Sequence, residues 1–365
     1  MQYYWELHIR RVLILFLIIL LLNNSSYAEE LDDSFLTTEH YVSYDIKNES
    51  ILFSKNINEK IFPASLTKIM TAIILLDYYE YSDYITTKYP SNYIQKGKIA
   101  NIPQDIEISI LNLLELLIVY SANDAAYIAA ISVTGNVDEF VTLMNEKAKA
   151  FGMNNTNFMN PDGMDDLNHF TTLNDLLKMS LKAIEMNEIL SLVIKEKFIS
   201  DISGSELIYY TTNLLLNDGF VGLKTGWTDK AGLTFIGLNQ NNDREIITIV
   251  NKSKVDEKKY SHFSDSKLLY KTSIDTFKNY KIINQDEQLY ILRNAYIEDT
   301  YKSDIEWYEF INLNKERRII LTKYNDRKIT LSFNEYNKDF NISKSKNKIK
   351  WIFNPLKIFK INANQ

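Results

Sequence analysis

The strongest constraint on this chain is the junction at residues 63–70, PASLTKIM. A polar, Asn-rich run ends there and the apolar stretch TAIILLDYY begins at once. Such a stretch reads as a core helix, so Ser65 and Lys68 sit where a buried helix starts. Two readings compete. As helix grammar, Ser65 caps the first turn and Lys68 is an ordinary solvated residue. As chemistry, residues i and i+3 share a helix face, which brings hydroxyl and amine within reach of each other. A hydroxyl becomes a good nucleophile when a neighbouring base takes its proton. A lysine serves as that base only where desolvation or nearby cations lower its pKa. The pattern alone decides nothing, because it recurs at Ser264/Lys267, Ser343/Lys346 and Ser345/Lys348.

The rest of the chain narrows the chemistry. There is no cysteine, which removes disulfides, thiolate catalysis and Cys-based metal sites together. His8, His40, His169 and His262 are scattered and form no His-Glu-x-x-His pattern, so neither a metal nor a cofactor is expected. No Gly-x-Ser-x-Gly elbow or Gly-rich phosphate loop is present. A net charge of −6 argues against a general nucleic-acid partner. Aromatic residues at 13% supply core material, so the abundant Asn and Lys do not signal disorder.

The N-terminus carries Arg10 and Arg11, eleven unbroken apolar residues at 12–22, and then Ser26 and Ala28 at the −3 and −1 positions of a cleavage site. This is the three-part layout of a secretory signal peptide, residues 1–28. A membrane anchor needs about 20 apolar residues. The expected location is therefore exported, periplasmic or at the outer face of the cytoplasmic membrane.

Two further stretches bear on the junction. Residues 111–132 read as a helix, a break at Ser121-Ala122-Asn123 and a second helix, with capping again the plain explanation. Residues 218–238, DGFVGLKTGWTDKAGLTFIGL, read as strand, turn and strand. Lys224-Thr225-Gly226 is the single Lys-Thr-Gly of the chain, and its plain explanation is a solvated edge-strand lysine beside a turn. Each plain explanation is reasonable alone. Together they fail, because Ser-x-x-Lys, Ser-x-Asn and Lys-Thr-Gly occur in that order, each on the element its chemistry needs. That is the motif set of penicillin-binding proteins and class A β-lactamases.

The chain thus resembles the penicillin-recognising serine enzymes, and among them the low-molecular-mass D-alanyl-D-alanine carboxypeptidases, the S11 serine peptidases. The likeness extends through YVSYDIKNESILFSKNINEKIFPASLTKIMTA, residues 152–164, residues 169–180, LKTGWTDKAGLTFIG and SHFSDSKLL, covering roughly 40–275. It implies an α+β fold, a transpeptidase-like domain whose five-stranded antiparallel sheet is flanked by helices, over residues 29–276. A small β-rich domain is expected at 277–343, where alternating stretches such as RRIILTKYNDRKITLSF read as strands.

The resemblance also distributes roles. Ser65 would form the acyl-enzyme and Lys68 would be the general base, its neutral form favoured by the like charge of Lys224. Ser121 would link the lysines, and either it or a lysine would return a proton to the leaving amine. Backbone N–H groups of Ser65 and Trp227 would bind the oxyanion. Asn123 would offer an amide to the substrate backbone. Lys224 and Thr225 would hold a terminal carboxylate, and side-chain-free Gly226 would let a peptide lie against the strand. His169 reads as structural.

The expected reaction is removal of the terminal D-alanine from peptidoglycan stem pentapeptides, with β-lactams as covalent inhibitors. A D,D-endopeptidase on cross-linked peptidoglycan shares the motif set. A β-lactamase is disfavoured because none of Glu139, Glu146, Glu185, Glu188, Glu196 or Glu206 lies in a Glu-x-x-Leu-Asn pattern. A non-catalytic wall-binding protein is disfavoured because every motif residue is intact. Residues 344–365 are basic, with Trp351, Phe353 and Phe359 interleaved, and suit either an anionic membrane surface or a last strand.

Overall fold

The computed structural model describes residues 33–277 apart from positions 203, 242, 243, 256, 258 and 259, and beyond Phe277 the backbone of strands alone. Residues 1–28, read above as a signal peptide, lie outside the described residues. The central sheet comprises β1 (His40–Asp45), β2 (Ser50–Lys55), β3 (Lys224–Thr228), β4 (Gly232–Asn241) and β5 (Arg244–Ser253). Its order is β2-β1-β5-β4-β3 and every pairing is antiparallel. This is the expected five-stranded antiparallel sheet, and it leaves β3, the Lys-Thr-Gly strand, at an edge.

Side chains alternate across a strand, so one strand can serve two cores. On β5, Ile247 and Ile249 enter the helical side while Ile246 and Val250 face the other. There they meet Phe53, Phe235 and Phe263, under the helix Ser261–Thr276. The helical side is organised around α1 (Lys68–Tyr78), which buries every residue from Lys68 to Leu75. Burial of a large aliphatic side chain stabilises by about 1.5–3 kcal/mol. Ile69, Ile73, Ile74 and Leu75 together therefore outweigh the cost of dehydrating one lysine at the helix start.

Against α1 packs the Ala-rich helix α2 (Asn123–Thr134), whose Ala125, Ala126, Ala129 and Ala130 are buried and allow close approach. Before it, Ile110–Leu114 is α-helical and Glu115–Tyr120 is wound as a π-helical turn. Past Phe277 a second antiparallel sheet follows the order Phe277–Ile283, Trp307–Asn312, Glu316–Tyr324, Arg327–Asn334, Ile361–Ala363. Strands thus continue beyond residue 343, with Ser343–Ser345 paired to Lys348–Lys350 and Ile361–Ala363 on the sheet edge. Residues 351–360, with most of the aromatic side of the tail, lie outside the described residues.

Candidate active site

Ser65 lies in a tight 3-10 turn, Ala64–Thr67, that runs into α1. Neither cap position, Pro63 or Thr67, makes a side-chain cap bond, so Ser65 is not the N-cap that helix grammar offers. Ala64 has φ +49°, a left-handed conformation that costs a non-glycine residue about 1–3 kcal/mol. Two contacts hold the strained turn. Gly163 presses so closely that a Cβ there would lie 1.8 Å from the Ala64 carbonyl oxygen. His169 Nε2 lies 3.0 Å from Thr67 Oγ1 while its Nδ1 accepts from the Met159 N–H. His169 is buried, which lowers its pKa to about 4 and keeps it neutral. Both of its ring nitrogens are thus occupied in supporting the turn.

Lys68 is fully buried, and its Nζ has three partners: Asn123 Oδ1 at 2.6 Å, the Asp162 carbonyl at 2.6 Å and Ser65 Oγ at 2.9 Å. Burial lowers its pKa to about 8, opposed by the Asp162 and Asp124 carboxylates and assisted by the charge of Lys98. The partner set fixes what a neutral amine does here. Two of the three partners are carbonyl-type oxygens that only accept. A neutral amine gives its two N–H groups to them and turns its lone pair to Ser65, the partner with a hydroxyl proton. That is the geometry of a general base.

Ser121 ends the π-helical turn in a left-handed conformation, φ 72° and ψ 37°. The extra residue wound into the preceding turn and the reversal at Ser121 re-aim the chain before α2 begins; such π-turns recur at functional sites. Neither Ser121 nor Asn123 caps α2 with a side chain. Instead Ser121 Oγ accepts from Lys224 Nζ at 2.7 Å, and Lys224 is itself buried. Burial first, and then the charges of Lys68 and Lys98, push Lys224 well below the ordinary lysine range.

Asn123 points inward. Its Oδ1 takes the Lys68 bond and its Nδ2 donates to the Lys96 carbonyl at 2.8 Å. Thr225 Oγ1 donates to Thr212 Oγ1 at 2.6 Å. Gly226 faces the turn that carries Ser65: a Cβ would stand 3.0 Å from Ser65 N and 2.8 Å from Thr234 Cγ2. Trp227 follows on β3 with its side chain 45% exposed.

All eight residues singled out in the sequence therefore lie around one place, as two hydroxyl–amine pairs facing an open sheet edge. Three others escaped notice. Asp162 contributes a backbone carbonyl, for which no side-chain pattern is a signal. Asp124 accepts from the N–H groups of Ala100 and Ile102 and fastens the segment bearing Lys98 beside Asn123. Lys98 is remote in sequence from every motif.

Comparison with known proteins agrees with this geometry. The family model described as D-alanyl-D-alanine carboxypeptidase, the S11 peptidases, matches residues 28–254. The chain belongs to the S11 peptidase family. Among curated relatives, it is 28% identical over 208 residues to D-alanyl-D-alanine carboxypeptidase DacF of Bacillus subtilis, covering 55% of this chain and 53% of that protein. It is 29% identical to the D-alanyl-D-alanine endopeptidase of Escherichia coli, covering 64% of this chain and 76% of that protein. The chain spans little more than half the length of the carboxypeptidases it matches. Penicillin-binding protein D2 of Listeria monocytogenes, solved with cefotaxime bound, superposes with a TM-score of 0.57 at 27% identity, over 65% of this chain and 97% of that one. Penicillin-binding protein 5 of Haemophilus influenzae shares the fold, with a TM-score of 0.66 at 22% identity, over 84% and 95%.

Proposed function

We propose that this S11 peptidase is a serine-type D-Ala-D-Ala carboxypeptidase, which removes the terminal D-alanine of peptidoglycan stem pentapeptides through an acyl-enzyme on Ser65. The observation that carries the reading is the pairing of Ser65 with Lys68 and of Ser121 with Lys224 beside the sheet edge. Lys68 takes the Ser65 proton as Oγ attacks the amide carbon. The N–H groups of Ser65 and Trp227 receive the developing oxyanion. Ser121 or a lysine returns a proton to the departing amine, and water then hydrolyses the ester.

The two lysines divide the charge between them. A substrate carboxylate arriving at Lys224 and Thr225 favours the charged form of Lys224. That charge disfavours protonation of Lys68 and readies it as the base. Asn123, inward in the free protein, would reach substrate through its remaining amide proton. Penicillins, as cyclic acyl transfer substrates, would acylate the same serine.

The test is twofold. Purified protein incubated with a diacetylated Lys-D-Ala-D-Ala peptide releases free D-alanine, and labelled penicillin marks Ser65 but not the Ser65→Ala variant. Failure of both removes the proposal. The endopeptidase relatives match over a larger share of their own length than the carboxypeptidases do, which favours a second reading, cleavage of cross-links. Product masses from pentapeptide monomers and cross-linked dimers separate the two. Export with the signal at residues 1–28 and a membrane contact at 344–365 complete the proposal. Fractionation with and without residues 345–365 checks the contact.

A further inference from the structure

Among the described residues, Lys98 is a cation that acts on both site lysines and that neither hydroxyl–amine pair uses. Its carbonyl accepts from the Asn123 N–H at 2.7 Å. Two and four residues on, the N–H groups of Ala100 and Ile102 bond the buried Asp124 carboxylate. The backbone of this segment is thus fastened to the Ser-x-Asn turn and the start of α2. Its side chain is not fastened to any carboxylate: among the described residues Lys98 makes no ion pair. Its Nζ lies 3.8 Å from the centroid of the Tyr120 ring, and Tyr120 immediately precedes Ser121.

The surroundings of Tyr120 show which wall this is. The N–H of Thr212 bonds the carbonyl of Val119, and Thr212 Oγ1 accepts from Thr225 Oγ1. On the other side of Tyr120, Ser121 accepts from Lys224. The residues on either side of Tyr120 in the chain thus carry the two links to the Lys-Thr-Gly strand, while the Tyr120 ring itself packs edge-on against Tyr209 at 4.8 Å. Lys98 remains reachable from solvent, whereas Lys68 and Lys224 are buried. Desolvation lowers the Lys98 pKa to about 8, which leaves it charged at neutral pH, and because it is the exposed one of the three lysines it is the ammonium that an incoming anion meets first. A cation over an aromatic face keeps its attraction for anions while its position is restrained.

We infer that Lys98 is a specificity-determining residue, a second cation beside Lys224 that draws in the C-terminal carboxylate of the substrate. The inference rests on the serine-peptidase reading of the site.

The experiment compares two acyl-D-alanyl thioesters that differ only in whether the leaving group carries a free carboxylate or a neutral amide. The wild-type protein hydrolyses both and prefers the carboxylate. In Lys98→Met that preference, measured as the ratio of kcat/KM, falls about tenfold, which corresponds to about 1.4 kcal/mol, with the loss carried by KM. Lys98→Arg restores most of it. A ratio unchanged in Lys98→Met overturns the inference, whatever happens to the absolute rates, as does an equal loss on both substrates. If the wild-type protein hydrolyses neither thioester and takes no labelled penicillin, the serine-peptidase reading itself has failed.

Discussion

Gly226 and Ser65 approach each other so closely that a Cβ on residue 226 would stand 3.0 Å from the Ser65 nitrogen, a contact that one of the two would have to yield to relieve. Thr234 closes the other side at 2.8 Å. The backbone of β3 and the turn that carries Ser65 thus face each other as two lips of one narrow slot, where the proposed oxyanion donors would lie.

Gly226→Ala should force the lips apart. Misplacing one oxyanion donor costs about 10²–10³-fold in turnover, so a loss of roughly a hundredfold in penicillin acylation is expected. Circular dichroism should show the fold intact, because the strain is local to the strand edge.

Acylation should rise with pH through about 8. Below that value Lys68 holds a proton on the lone pair that must face Ser65, and above it the amine is free. The rate of labelling by a penicillin, followed between pH 6 and 9, checks this. Lys68→Arg should leave no measurable acylation, since a guanidinium does not deprotonate in this range.

His169 ties its own titration to the stability of the nucleophile turn. Its folded pKa of about 4 lies below the unfolded value of about 6.5, so the unfolded chain binds more protons between those values. Stability is full above pH 6.5 and should fall by about 3 kcal/mol as the pH drops toward 4. Denaturant titrations at several pH values should show that slope, and His169→Gln should flatten it. The same variant should slow acylation by loosening Thr67.

Asp124→Ala should release the segment that carries Lys98. It leaves the N–H groups of Ala100 and Ile102 without their acceptor, at a cost of about 1–3 kcal/mol for each buried group. A lower Tm is expected, together with a raised KM for carboxylate-terminated substrates. A lowered Tm with KM unmoved would show that this anchor does not reach the site.

Ser65, Lys68, Ser121, Asn123, Lys224, Thr225, Gly226 and Trp227 were named before any coordinates by the order of three short motifs and the resemblance they carry, since each motif alone also had a plain explanation. Helix periodicity placed Ser65 and Lys68 on one face, and strand grammar placed Lys224 beside a turn. The pairing of Lys224 with Ser121 across 103 residues was implied by the resemblance and by no local pattern, and tertiary packing is what brings the two side chains together. The inward turn of Asn123, the Asp162 carbonyl that completes the ligand set of Lys68, and the approach of Lys98 to Tyr120 were likewise decided by tertiary structure. Burial explains why. A lysine's basicity and a carbonyl's availability depend on which neighbours exclude water from them, and a linear pattern names residues without naming what surrounds them.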